Sequence, residues 1–147
     1  MKIDFIQTSG RKFEKGIPLD WCEDFSVETE EGLFKCVNTH KVVLTMSTFG
    51  FDHYYLTASL SIQLRKGNCY RAGYVRDKDG NKVDYPQPLH LEICRPVTEA
   101  EIKADPDRWR GYHPGSLTNA FWRVEDIKEA IEEVKTWFPG YEFEITQ

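Results

Sequence analysis

The sequence predicts an α+β fold. It comprises a mostly antiparallel sheet of about six to eight strands in the N-terminal two-thirds of the chain, one long amphipathic helix at about 118–138 packed on one sheet face, short helices near 98–110, and a final strand at 141–146. Three observations carry this expectation. Apolar residues alternate with polar ones from Tyr54 to Leu64, the period of a strand with one face on a core. Asp79-Gly80 stands between two strand-like runs, a hairpin signal. After Pro96 the apolar spacing becomes helical, and strands followed by helices argue α+β over a doubly wound fold.

The elements follow in chain order. Lys2–Gln7, Phe25–Thr29, Leu33–Asn38 and Val42–Thr48 read as strands before the long Tyr54–Leu64 run, with Glu31-Gly32 as a turn. Cys69–Arg76 and Lys82–Tyr85 flank Asp79-Gly80. A type I′ turn on those two residues sets Lys78 opposite Asn81, Asp77 opposite Lys82 and Tyr74 opposite Tyr85. Pro86 and Pro88 break the ladder before Leu89–Cys94. Thr98 and Glu101 match a capping box, and Asp105-Pro106 opens a second short helix carrying Trp109. Leu117, Phe121, Val124, Ile127, Ile131, Val134 and Trp137/Phe138 form the helical stripe, stopped by Pro139-Gly140. The alternative start is a short strand at Asn119–Arg123 with the helix beginning at Glu125. Tyr141, Phe143 and Ile145 then alternate with polar residues in the last strand.

With 147 residues the chain is expected to be a single domain, 1–147, large enough to fold without metal or disulfide. A composition of 40% hydrophobic, 29% charged and 14% aromatic residues excludes a disordered tail, a collagen-like rod and a coiled coil. No stretch resembles a secretory leader or a membrane span, so a cytoplasmic location with reduced cysteines is expected. The net charge of −5 gives no basic footprint for duplex nucleic acid, which is not an expected partner. The charge is nevertheless unevenly placed. Asp20–Glu31 holds only acidic charge, and Arg65–Lys82 is mainly basic. Segments of this kind usually land on separate solvated faces.

No glycine-rich phosphate loop, nucleophile elbow, H-E-x-x-H or C-x-x-C appears, and no cofactor or metal is expected. His90 and Glu92 lie two apart on a strand and share a face, an arrangement able to orient an imidazole or supply two metal ligands. A solvated strand face is the plainer alternative. Cys36, His40, His90 and Cys94 mimic a zinc quartet, but strand positions four apart lie ~13 Å from each other, too far for one ion. The Asp77–Asn81 segment lacks the glycine position and closing glutamate of a calcium loop. A serine nucleophile would have to come from Ser59, Ser61 or Ser116, and none has histidine at a diagnostic spacing.

The aromatic surplus divides into core positions (Phe121, Trp137, Phe138, Phe143) and a set interleaved with arginine. That set is Tyr55, Arg65, Tyr70, Arg71, Tyr74, Arg76 and Tyr85. Arginine forks grip phosphate or carboxylate, and aromatic faces stack on bases. Cross-strand packing under arginine stems is the plainer reading. The loop from Trp109 to Ser116, with Arg110 and His113, is a second candidate surface.

The expected function is therefore a small non-catalytic binding or interaction protein, of the kind that serves phages and mobile elements as an accessory. It would take a protein partner or a small anionic, nucleotide-like ligand on the Arg/Tyr face and the 109–116 loop. The alternatives are a hydrolase using His90 and Glu92, with His113 and a metal assisting, and a single-stranded nucleic-acid binder. If Tyr54–Leu64 were an edge strand, it would offer pairing with a second copy, giving a homo-oligomer.

Overall fold

A computed structural model describes residues 3–10, 12–16, 25–48, 53–66, 69–71, 74–84, 88–118 and 122–147. The strands are β1 (Asp4–Ser9), β2 (Ser26–Thr29), β3 (Gly32–Thr48), β4 (His53–Lys66), β5 (Cys69–Arg71), β6 (Tyr74–Arg76), β7 (Lys82–Asp84), β8 (His90–Pro96), β9 (Leu117–Thr118), β10 (Trp122–Arg123) and β11 (Glu142–Thr146). The helices are α1 (Glu99–Ala104) and α2 (Val124–Lys135). The main sheet runs β1-β8-β4-β3-β11, with short β2, β5, β9 and β10 hung on it, while β6 and β7 form a separate hairpin. Pairing is antiparallel except for β11, which runs parallel to β3. The fold is α+β, built on an antiparallel sheet.

The Tyr54–Leu64 alternation extends into β4, and its even-numbered side chains make the core. Leu56, Ala58, Leu60 and Leu64 are buried, as are Val42 and Leu44 of β3 and Leu91 and Ile93 of β8. From α2, Ile127, Ala130, Ile131 and Val134 join the same cluster, so α2 covers that face. Far from being an edge, β4 lies between β3 and β8. Its place inside the sheet removes the open edge on which the expected pairing with a second copy rests.

Two predicted strands fuse into the 17-residue β3 through a bulge. Asn38 pairs with Ile62 and Val42 with Leu60, leaving three residues of β3 opposite one of β4. Within the bulge His40 has φ of 53°, a left-handed conformation uncommon outside glycine. Local bonds hold it there. Buried Asn38 accepts from the His40 N–H at 2.9 Å and donates to the Tyr141 hydroxyl at 3.2 Å, while Thr39 Oγ1 donates to the Ser61 carbonyl.

The long helix is shorter than its apolar stripe. α2 has 12 residues, and at the start of the stripe Leu117–Thr118 and Trp122–Arg123 are the short strands β9 and β10. Trp122 pairs with Tyr54 and its indole N–H donates to the Ile93 carbonyl, so tertiary pairing overrides helical spacing. The alternative of a strand before the helix describes Trp122–Arg123. Upstream, α1 carries the full capping box at Thr98 and Glu101. The second short helix is absent: 106–111 are turns, with the Arg108 N–H on the Asp105 carboxylate.

The hairpin register also differs from expectation by one residue. Tyr74 pairs with Asp84 and Arg76 with Lys82, so neither the Tyr74–Tyr85 nor the Asp77–Lys82 pairing forms. Only Gly80 of the loop has positive φ, at 81°, and a type I′ turn needs two such residues. Asp77 decides the outcome. Its Oδ1 accepts from the N–H groups of Asp79 and Asn81, which stabilises a three-residue loop with Gly80 left-handed. Asp77→Ala is expected to cost about 1 kcal/mol. Chemical denaturation would measure it, and an unchanged midpoint would show that the turn does not depend on this carboxylate.

Candidate functional site

The register that seats the core sets the other face of the sheet by alternation. Tyr55, Thr57, Ser59, Ser61 and Gln63 of β4 are half-buried on the face that α2 leaves uncovered. On β8, His90 and Glu92 are likewise half-buried between buried neighbours. The antiparallel ladder places Ser59 opposite His90 and Thr57 opposite Glu92, and on the other side Ser59 opposite Val43. Ser59 Oγ and His90 Nδ1 lie 2.7 Å apart, a short hydrogen bond. They sit in an open groove of about 570 Å³ whose lining includes Val43, Ser61, Ile62 and Pro88.

Both side chains are fixed by strands, not loops. The Leu60 N–H donates to the Leu89 carbonyl at 2.9 Å, tying the two strands beside the pair. With the ring proton on Nε2, Nδ1 accepts the serine hydroxyl proton. That arrangement orients the imidazole, makes Ser59 Oγ the better nucleophile and leaves the Ser61 hydroxyl and the His90 Nε2–H to bind an acceptor-rich group.

The other predicted residues disperse. Tyr55 lies on the Ser59 face, whereas Arg65 is exposed ten residues along β4, roughly 33 Å away along an extended strand. Near Arg65 the backbone of β5 sets Tyr70 opposite Arg65 and Arg71 opposite Leu64. Tyr74 belongs to the separate hairpin, and Tyr85 lies outside the described residues, as does Phe121 of the expected core set. Exposed Arg76 donates to the Gly80 carbonyl at 2.8 Å and braces its own turn. The backbone thus places the described members of the Arg/Tyr set on the main sheet and on a separate hairpin.

The basic hairpin meets the acidic segment directly. Lys78 pairs with Glu28 at 2.9 Å, and Glu30, Glu31 and Arg76 line one groove between the hairpin and the β2–β3 turn. The uneven charge of the sequence is thus partly answered within the chain. Being exposed, the Lys78–Glu28 pair adds little stability.

In the 109–116 loop Trp109 is 4% exposed, so its ring anchors the loop and offers no stacking surface. The loop is pinned by Gly115 N–H to the Val97 carbonyl and Val97 N–H to the Ser116 carbonyl. Arg110 pairs with Asp107, and His113 is exposed. This loop joins the end of β8 opposite to His90, so His113 does not complete a site with His90 and Glu92. Nor do the zinc-like residues converge. β4 separates Cys36 from β8, and Cys94 is buried with its thiol toward the Glu92 carbonyl. Among the described residues no three His, Cys, Asp or Glu side chains gather where one metal ion could be held.

Sequence reasoning named Ser59 and His90 separately but did not join them. Their partnership depends on the β4–β8 register, and the Pro86–Pro88 segment between the hairpin and β8 hides that register locally. No family model, curated protein or solved structure matches this chain. No described helix is long and apolar enough to cross a membrane.

Proposed function

We propose that this chain is a small non-catalytic binding protein of the cytoplasm. Its ligand surface is the sheet face left uncovered by α2, and its ligand is a small anionic, nucleotide-like molecule. The single observation that carries this is the groove around Ser59 and His90. Its volume of about 570 Å³ falls in the range of small-ligand sites, and it combines apolar walls with convergent hydroxyl and imidazole groups. Ser61 through its hydroxyl and His90 through its Nε2–H offer hydrogen bonds to an acceptor-rich group, while Ser59, its proton held by Nδ1, presents only lone pairs.

A hydrolase built on His90 and Glu92 has less support, because the described residues bring no third ligand or second histidine to them. NMR titration of the labelled protein with ADP and with pyrophosphate tests the proposal. Amide shifts centred on Ser59, Ser61 and His90 are expected, with affinity falling at least about tenfold in His90→Ala, as for a lost charged or strong hydrogen bond. Shifts confined to 109–116, or none at millimolar ligand, would overturn it. An oligothymidylate titration across salt separates the nucleic-acid reading, since phosphate contacts impose a steep loss of affinity with added salt.

A further inference from the structure

The Ser59–His90 contact has a chemical capacity that binding alone does not use. We propose that Ser59 is an activated nucleophile, with His90 as its general base, and that it takes an acyl group from small activated esters. The short Oγ to Nδ1 distance satisfies the first geometric requirement of such a pair. The second is rigidity, and both residues stand at paired positions of two ladder-bonded strands. The third is access. Both side chains are half-buried at an open groove in which Val43, Ile62 and Pro88 supply apolar walls for a short acyl chain.

The step balances without a co-reactant. Ser59 Oγ attacks the ester carbonyl carbon as its proton passes to His90 Nδ1. The tetrahedral adduct collapses by breaking the bond between that carbon and the leaving oxygen, which collects the proton from Nδ1. The products are an acyl ester on Ser59 and a free alcohol or phenol. Hydrolysis of that ester needs the same transition-state stabilisation a second time. Here the scaffold is poor. On a ladder strand the backbone N–H groups tend to be committed, as Leu60 N–H is to the Leu89 carbonyl. Among the described residues, this strand-borne serine therefore lacks the paired free amides that a helix N-terminus or sharp turn would aim at an oxyanion. Ser61, two residues away on the same face, offers a hydroxyl instead. The pair should therefore acylate once and release slowly, which suits a modifiable serine better than a turnover enzyme.

Incubation of the intact protein with p-nitrophenyl acetate, followed by peptide mass spectrometry, decides the matter. One acetyl group at Ser59 is expected, with a nitrophenol burst of one equivalent followed by slow release. Ser59→Ala abolishes the burst, and His90→Gln slows it about 100-fold by removing the base. Both variants must keep the wild-type amide spectrum away from β4 and β8. Acetylation elsewhere, or at Ser59 with an unchanged rate in His90→Gln, sinks the proposal. Ligand binding is read separately with ADP and pyrophosphate, which cannot acylate, so either idea can fail without the other.

Discussion

Trp122→Ala is expected to destabilise the fold by about 3–5 kcal/mol, the cost of removing a large aromatic ring from a packed core. Three roles meet in this side chain. It is fully buried, its indole N–H donates to the Ile93 carbonyl of β8, and its backbone pairs with Tyr54 of β4. It also precedes the first residue of α2 by two positions, so it fixes where the helix enters the core face. Truncation thus opens a cavity, loses a buried hydrogen bond and loosens the helix start. Thermal unfolding should fall by roughly 10 °C for a chain of this size. Trp122→Phe keeps most of the ring and loses the N–H, so it should cost about 1–2 kcal/mol. Leu33→Ala, at a side chain 51% exposed, should stay within about 0.5 kcal/mol. If Trp122→Ala unfolds as Leu33→Ala does, the ring does not hold α2 in place.

The same tryptophan shows what a sequence discloses and what it hides. Alternation from Tyr54 to Leu64 disclosed β4 and its core face, because strand periodicity is a local property that burial then enforces. Thr98 and Glu101 disclosed the start of α1, since capping is also local. Leu117, Phe121 and Val124 fit a helix equally well, yet Trp122 and its neighbour form a bridge to β4. That bridge is a contact across about 70 residues, invisible to any short window. Asp77 moved the hairpin register by one residue through two side-chain bonds, and a one-residue slip exchanges the faces of a strand. For the candidate site the loss is greater. The sequence places His90 and Glu92 on one face of β8, but only tertiary pairing sets Ser59 against His90. The arginines and tyrosines, close in sequence, spread over two sheets.

Arg95 and Glu101 should respond unequally to truncation. The Arg95 side chain is only 10% exposed, and its guanidinium donates two parallel 2.8 Å bonds to the Glu101 carboxylate, which is 24% exposed. Glu101 also accepts from the Thr98 N–H and hydroxyl, closing the cap of α1. Glu101→Leu therefore strips a buried cation of its carboxylate and a helix of its cap, at an expected cost of about 2–3 kcal/mol. Arg95→Met costs less, about 1–2 kcal/mol, because the remaining carboxylate keeps its Thr98 bonds and reaches solvent. Acid should reproduce part of the first effect. Burial pushes the Glu101 carboxyl upward, but the Arg95 and Thr98 hydrogen bonds together with the guanidinium charge outweigh it and hold it below the ordinary carboxylate value. A carboxyl lowered in the folded state stabilises the fold above its unfolded value near pH ~4.3, and that contribution disappears as pH falls through the folded value. The stability gap between the wild type and Glu101→Gln should accordingly be full at neutral pH and close below about pH 4. A gap that widens on acidification would mean that the pair opposes folding.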